Sequence, residues 1–307
     1  MVFRWLLSLI LLLTLHSAAA GEVDRLHQRV SDWTRALGGW LDARLAGEPW
    51  PAAENRTRLK LGVRLRVGRL SPLKTDPLID LRLHLPRLQR KFNLIIQQET
   101  PAEAAPAERS GIDRTVQPQG QAQGTFVGLR LGRGDSRFQR TLSNVSAGLV
   151  FRGITPGVAI DWRQRDRYPL GRGWVRTDFQ RLRWENFTGL YGTLGWDFDL
   201  APSPTELRRL SVSLDGYLER EEIVLNLGAG DTWLLPGNVA LGLRLRGSWS
   251  NQPCYELVRW GPVLRYSRPL WRPWLLLTLS PELRFDRDYG YRTDPLVTLR
   301  LEAVFNR

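Results

Sequence analysis

The sequence predicts an all-β protein: a transmembrane, antiparallel, up-and-down β-barrel of about 12 strands with a short N-terminal amphipathic helix. Three observations lead to this fold class. The chain begins with a secretion signal, its hydrophobic period is two from about residue 55 onward, and no apolar run is long enough for a spanning helix. Backbone groups inside a bilayer must be satisfied internally, so such a chain can cross a membrane only as a closed barrel.

The first 20 residues have the organisation of a secretory signal peptide. Arg4 precedes an apolar run from Trp5 to Leu15, and small residues lie directly before Gly21. The run is shorter than the roughly 20 apolar residues of a spanning helix, which favours cleavage and a mature chain starting at Gly21. The predicted organisation is a signal peptide, a periplasmic helix with its linker, and a barrel: residues 1–20, 21–54 and 55–307.

An amphipathic helix is predicted after the signal. Its apolar residues recur at spacings of three and four with charged residues between them: Val23, Leu26, Val30, Trp33, Leu37 and Trp40. One interpretation is a helix that packs against the periplasmic mouth of the barrel or lies in the membrane interface. The other is a binding surface for a periplasmic partner helix, because the stripe has coiled-coil spacing.

Strands are predicted from Asn55 to the end of the chain. Residues 59–67 illustrate the pattern, because apolar side chains at odd positions alternate with Lys60, Gly62, Arg64 and Arg66. Fourteen segments qualify as strand candidates, of which we expect two to merge or fail. An even number near 12 follows, since a barrel with both ends in the periplasm crosses an even number of times.

One segment, from Glu99 to Gly124, interrupts the alternation. It is rich in Ala, Pro, Gln and Gly and has few large apolar residues, as in a flexible loop. Counting crossings from a periplasmic N-terminus places this connection outside the cell.

The net charge of +13 is carried almost entirely by arginine: of 44 basic residues, all but Lys60, Lys74 and Lys91 are Arg. This charge either attracts anions or reflects a genome that prefers Arg codons. Nucleic acid is not an expected partner, since the chain is exported and its charges are scattered along strands. Cys254 is the only cysteine, so no intrachain disulfide can form.

The polar faces of the clearest strands predict a basic lumen. Its predicted lining residues are Lys60, Arg64, Arg66, Asp80, Arg82, His84, Lys91, Arg130, Arg300 and Glu302. In a water-filled passage such residues favour anions. In a blocked barrel they would instead pair with carboxylates and fill the interior.

The sequence provides no recognisable catalytic set. His84 is the only histidine in the predicted barrel, and no serine nucleophile can be assigned to it. A lipid hydrolase using His84 is therefore the third hypothesis, after a non-enzymatic pore or structural barrel and a barrel that recruits a partner. No cofactor and no metal site are expected.

The C-terminal third resembles the outer-membrane barrels of Gram-negative bacteria, and most specifically a group of proteobacterial barrels without an assigned activity. The segments that carry the resemblance are 271–276, 280–285 and 299–305. It implies a location in the outer membrane, contact with its lipid and lipopolysaccharide, and recognition of the last strand by the barrel-assembly machinery. The residues of this assembly signal are Leu299, Leu301, Ala303 and Phe305. An assembly signal of this kind ends in an aromatic residue, whereas in this chain Asn306 and Arg307 follow Phe305.

Overall fold

The computed structural model describes residues 20–46, 57–83, 93–99, 124–132, 141–152 and 155–305. These residues form one α-helix, fourteen strands and two single-turn 3-10 helices, Leu218–Arg220 and Arg287–Tyr289. The helix is α1 (Ala20–Ala46), and it begins one residue before the predicted cleavage point. The rest of the predicted signal peptide lies outside the described residues.

The strands, in chain order, are β1 (Arg58–Gly68), β2 (Lys74–Leu83), β3 (Asn93–Glu99), β4 (Gly124–Gly132), β5 (Thr141–Arg152), β6 (Thr155–Gly171), β7 (Trp174–Glu185), β8 (Gly189–Ser203), β9 (Glu206–Tyr217), β10 (Glu222–Leu235), β11 (Val239–Ser250), β12 (Glu256–Pro269), β13 (Leu275–Asp286) and β14 (Thr293–Phe305).

The strands form a closed, antiparallel, up-and-down barrel. Each strand pairs with its predecessor, and β14 closes the ring on β1 through a continuous register from Leu59 opposite Phe305 to Gly68 opposite Leu296. The all-β, up-and-down prediction is confirmed, but the expected number of about 12 strands is wrong. All fourteen candidate segments form strands. Even β3, with 7 residues, is held because both β2 and β4 hydrogen-bond to it.

The two ends of the barrel differ in their connections. At the end where β1 begins and β14 finishes, here called the helix end, the turns at 172–173, 204–205 and 236–238 are short. At the opposite, far end, four of the described connections are longer, at 69–73, 218–221, 251–255 and 287–292. The predicted loop after Glu99 leaves β3 at the far end, and its residues 100–123 lie outside the described part of the chain.

Apolar side chains lie on the outer surface of the barrel and polar side chains lie inside it. The period of two makes alternate residues of every strand face outward or inward. Outward residues that stay exposed include Leu61, Ile79, Leu149, Ile160, Leu182, Leu210, Leu243 and Leu245. Inward residues that are buried include Arg64, Asp161, Arg181, Arg183, Ser213, Ser248, Arg284 and Asp294. This is the reverse of the arrangement in a water-soluble domain.

The helix α1 packs against the barrel at its helix end. Asp24 receives a hydrogen bond of 2.7 Å from Nε of Arg272, in the turn between β12 and β13. This bond and the carboxylate charge raise the pKa of Arg272. The ring of His27 stacks on Trp274 and Phe305 with centroid distances of 4.1 and 4.9 Å. Within the described residues, no helix is long and apolar enough to span a bilayer.

Gly261 occupies a position on the inner wall that no other residue fits. Its φ is +152°, and a Cβ added there would lie 1.9 Å from the carbonyl oxygen of Leu283 on the neighbouring strand. The side chain of Arg246, on β11, passes over β12 to reach Glu282 on β13 at 2.5 Å. Gly261 lies opposite Arg246 in the register of β11 and β12. Because Gly261 has no side chain, the side chain of Arg246 can extend across β12 at this position.

We therefore predict that Gly261→Ala lowers the free energy of unfolding by about 2 kcal/mol or more, because the new Cβ must displace backbone. Urea titration followed by tryptophan fluorescence in lipid vesicles measures this. Gly228→Ala is the matched control, since Gly228 also faces inward beside Arg246 but a Cβ there meets nothing closer than 3.8 Å. Equal stability of the two variants would contradict the prediction.

Candidate functional site: the barrel lumen

The residues predicted to line the lumen fall into three groups in the structure. Six of them lie at inward positions of β1, β2 and β14: Lys60, Arg64, Arg66, Asp80, Arg300 and Glu302. Arg82 and Arg130 lie at inward register positions of β2 and β4. His84 and Lys91 lie outside the described residues, so the hydrolase hypothesis gains no support from the structure.

The seam between β14 and β1 contains a short charged row. Nε of Arg64 donates to a carboxylate oxygen of Asp76 at 3.2 Å, and both side chains are buried. Arg300, directly opposite Arg64 in the register, contacts Glu302 of its own strand at 3.5 Å. Carboxylates on this part of the wall are thus neutralised by the arginines beside them.

The densest charge cluster lies on β6 and β7, and the sequence did not predict it. Asp161 accepts hydrogen bonds of 2.8 and 3.0 Å from Nε and Nη2 of Arg181 and one of 2.7 Å from Nε of Arg163. Asp161 and Arg181 are almost completely buried. Two arginines share one carboxylate, so the cluster keeps a positive charge.

A second cluster on the same wall lies nearer the far end. Glu185 is contacted by Arg152 of β5 at 2.8 Å and by Arg183 of its own strand at 3.2 Å. The hydroxyl of Thr188 also donates to this carboxylate. Again two guanidinium groups contact one carboxylate. In the sequence, charged residues recur at odd positions of 159–167 and 177–185. This alternation locates both clusters only when it is combined with the register between β6 and β7.

Ion pairs run along the wall of the lumen. The ion pairs that we describe between inward side chains join residues of one strand, of adjacent strands, or of strands separated by one other strand. Arg209 and Asp199, at 2.5 Å, join neighbouring β9 and β8, and Arg259 and Asp286, at 2.6 Å, join β12 and β13. The pairs with the longest reach, Arg246 with Glu282 and Arg152 with Glu185, each pass over a single strand. The charges therefore line the interior, and these ion pairs do not cross it.

A hydrogen-bond chain through the carboxylate of Asp215 continues this lining on β8 to β11. The hydroxyl of Thr193 donates to Asp215 at 2.6 Å, and Asn226 donates to the other oxygen of Asp215 at 2.8 Å. The hydroxyl of Ser248 donates to Asn226 at 2.7 Å. These four polar groups belong to four consecutive strands, so the chain fixes them against the wall.

Basic side chains outnumber carboxylates on the described inward faces. The basic residues are Arg58, Lys60, Arg64, Arg66, Lys74, Arg152, Arg163, Arg165, Arg167, Arg181, Arg183, Arg209, Arg244, Arg246, Arg259, Arg265, Arg284 and Arg300. The acidic residues are Asp76, Asp80, Asp161, Glu185, Asp197, Asp199, Asp215, Glu222, Glu256, Glu282, Asp286, Asp294 and Glu302. The net formal charge of these described inward side chains is therefore positive.

Arg265 is the inward arginine most open to solvent. It lies on β12 opposite Gly242, which has no side chain to cover it, and it is exposed although it faces into the barrel. Within the described part of the chain, no carboxylate contacts its guanidinium group. An ion passing along the lumen can therefore approach this charge directly.

The inner wall contains one apolar cluster close to the far end. Phe126, Val150 and Ala159 are buried on inward faces of β4, β5 and β6, and Phe187 packs against them from the β7–β8 turn. The guanidinium carbon of Arg152 lies 4.9 Å from the centroid of the Phe187 ring. The sequence did not predict this cluster, because it breaks the rule that inward positions are polar.

The described residues contain no group of three or more His, Cys, Asp or Glu side chains that could hold a metal ion. Several buried carboxylates of the lumen, such as Asp161 and Glu185, are instead paired with arginine, whose charge opposes cation binding.

Comparison with solved structures finds outer-membrane porins and channels. The KdgM porin in complex with disordered oligogalacturonate aligns with 80% of this chain and 98% of its own at 6% identity and a TM-score of 0.40. The outer membrane channel DcaP of Acinetobacter baumannii aligns with 82% of this chain and 96% of its own at 10% identity and a TM-score of 0.45. OccK10 of Pseudomonas aeruginosa aligns with 82% of this chain and 99% of its own at 9% identity and a TM-score of 0.45. At this level of similarity the comparisons do not identify a function.

No protein-family model and no curated protein matches the sequence. The resemblance to a particular proteobacterial group therefore rests on the C-terminal segments alone and stays a prediction.

We predict that Asp161→Asn lowers the free energy of unfolding by about 3–5 kcal/mol, because it leaves buried Arg181 without its counter-ion. Urea titration of protein in vesicles measures the change. The control is Glu206→Gln, which removes the carboxylate of an exposed pair with Arg208 and is expected to cost less than about 1 kcal/mol. A loss at Asp161 no larger than at Glu206 would show that the cluster contributes little to stability.

Proposed function

We propose that this chain is a non-enzymatic β-barrel of a Gram-negative outer membrane that forms a narrow, weakly anion-preferring pore. The observation that carries the proposal is the distribution of side chains around the closed ring: apolar residues outside, charged residues inside, and more bases than acids among the latter.

The outer surface supports a location in lipid. Large apolar side chains such as Leu210, Leu243 and Leu245 have about half of their surface exposed, at 50%, 48% and 53%. Removing one Leu side chain from water is worth about 1.5–3 kcal/mol, so a surface covered by such residues is stable only against an apolar phase. The secretion signal predicted from the sequence directs such a barrel to the outer membrane, where lipid and lipopolysaccharide surround it.

The size of the ring supports an open passage. With strands about 4.8 Å apart and tilted by about 40°, fourteen strands in a circle give a backbone radius of about 14 Å. An extended arginine side chain covers roughly half of that radius, and the ion pairs hold these side chains along the wall. The lining alone therefore leaves a central space that water and small solutes can occupy.

The charge balance supports a weak preference for anions. Most carboxylates of the lining have an arginine beside them, which reduces the negative charge that they present to a passing ion. Arg265 and the clusters in which two arginines share Asp161 or Glu185 supply the positive surplus. Because many arginines are partly neutralised, we expect selectivity well short of exclusion of cations.

Planar-bilayer recordings of variants at Arg265 test whether this residue contributes to ion selectivity. In a potassium chloride gradient the purified protein should give conductance steps with a reversal potential that favours chloride. Arg265→Glu should move the reversal potential toward that of potassium, since it reverses an exposed charge inside the lumen. Arg268→Glu makes the same change three residues along β12, on the outward face, and should leave the reversal potential unchanged.

Two outcomes would contradict this proposal in different ways. If neither variant changes the reversal potential of a conducting protein, Arg265 is not on the ion path. If the protein inserts into bilayers but passes no current, the barrel is a structural membrane component, and the pore is rejected.

A further inference from the structure

The helix α1 lies on the outer wall of the barrel, outside the lumen. Leu59, Leu81 and Phe305 occupy outward positions of β1, β2 and β14, in the same rows as the exposed Leu61 and Ile79. These three residues are nevertheless buried, because they form one cluster against which Val30 and Leu37 of α1 pack. The helix thus covers a patch of the surface that elsewhere faces lipid.

The predicted helical stripe is consequently divided between two surroundings. Val30 and Leu37 face the barrel, while Leu26 and Trp33 are 62% and 59% exposed. The side chains of Val23 and Trp40 lie outside the described ones. A partner helix could reach Leu26 and Trp33, but Val30 and Leu37 are already covered.

The helix runs around the rim, across the strand ends. Asp24 contacts Arg272 in the β12–β13 turn, and Nε2 of His27 lies 3.1 Å from the carbonyl oxygen of Val304 at the end of β14. Further along, Val30 and Leu37 reach the cluster that includes Leu59 of β1 and Leu81 of β2. The direction of α1 is therefore from the β12–β13 turn over β14 and β1 toward β2.

The chirality of the strands fixes the direction of this path. In an ascending strand seen from outside, with the helix end below, the N–H of an outward-facing L-residue points to the right. Asn251 continues the outward row of ascending β11, and its N–H donates to Ile223 of β10 at 3.1 Å. Each strand therefore has its predecessor on its right, and α1 runs from right to left.

The handedness of α1 then identifies the residues that point toward the membrane. A right-handed helix turns by about 100° per residue. With the barrel behind a helix that runs from right to left, Leu26 and Trp33 point toward the far end, where the exposed apolar belt begins. Gln28 and Arg35 lie on the side turned away from the far end, and Arg25 points away from the barrel. Arg29, about 40° around the helix from Trp33, lies between the outward direction and the far end.

We propose that α1 is an interfacial anchor whose Leu26 and Trp33 insert into the periplasmic leaflet of the membrane that surrounds the barrel. The proposal rests on the proposed function only in requiring the barrel to be in a bilayer. It commits to lipid as the occupant because this apolar face continues the outer surface of the barrel. The exposed Arg25 and Arg29 lie where they can contact phosphate groups of the lipid, and a Trp at this depth suits its amphipathic ring.

The test is site-directed spin labelling of the full mature chain in vesicles of phosphatidylethanolamine and phosphatidylglycerol. Cys254, which is exposed in the β11–β12 connection, is first replaced by Ser so that each variant has one cysteine. Labels are placed by Leu26→Cys, Trp33→Cys and Gln28→Cys, and by Leu245→Cys on the outer wall. Collision with oxygen, which concentrates in lipid, is compared with collision with a water-soluble nickel complex.

We expect the ratio of oxygen to nickel accessibility to be several-fold higher at positions 26 and 33 than at position 28. Position 245, on the outer surface of the barrel, should show the highest ratio of all. Water-like values at 26 and 33 together with a lipid-like value at 245 would overturn the anchor and leave the inserted barrel standing. Water-like values at 245 as well would reject the membrane location itself.

Replacing either large side chain could loosen α1, so a second measurement keeps the test decisive. Crosslinking between cysteines at Asp24 and Arg272 reports whether the helix is docked, because these side chains are in contact. If the helix is docked and positions 26 and 33 are still water-accessible, the anchor is rejected, and a periplasmic protein becomes the occupant to seek.

Discussion

The pairing of β14 with β1 is the constraint on which the rest of the structure depends. It removes the two free edges that an open sheet of these strands would expose, which a bilayer would not tolerate. It also fixes the register of the whole ring, because a shift of one residue at the seam would turn every inward side chain of β1 outward. The continuous register from Leu59 opposite Phe305 to Gly68 opposite Leu296 therefore determines which residues face outward and which face the lumen.

The chain's preference for arginine has a structural consequence inside this ring. A guanidinium group offers several donors in a plane, so Arg181 can bind both oxygens of Asp161 while Arg163 binds one of them. Small residues leave room for arginine side chains to cross a strand, as where Arg246 passes over Gly261 to reach Glu282. Lysine, with one ammonium group, could not connect strands in this way. The codon preference considered for the sequence and this use of arginine are compatible explanations.

The sequence predicted the fold more completely than the site. Strict alternation in β1 and β14 was sufficient to identify an up-and-down barrel and the inward faces of Arg64 and Arg300. Discounting two strands was wrong, because a short segment such as β3 gains its stability from two partners and its own pattern shows little of this. The Asp161 cluster joins residues of different strands, so it could not be found before the register of β6 and β7 was known. Phe126 and Val150 were missed because apolar side chains at inward positions contradict the pattern that guided the prediction.

The N-terminal helix and the C-terminal strand are in contact at Phe305, and this contact limits the order in which the strand can be recognised and the helix can dock. Phe305 ends the strand that is predicted to be recognised during assembly, yet in the folded protein the ring of His27 stacks on it and α1 covers its row. A machinery that binds the outward face of Phe305 and a docked α1 cannot occupy the same surface. Recognition of the last strand, if it uses this face, must therefore precede docking of the helix. Because α1 also spans the seam from the β12–β13 turn toward β2, its docking adds side-chain contacts across a closure that hydrogen bonds alone would otherwise hold.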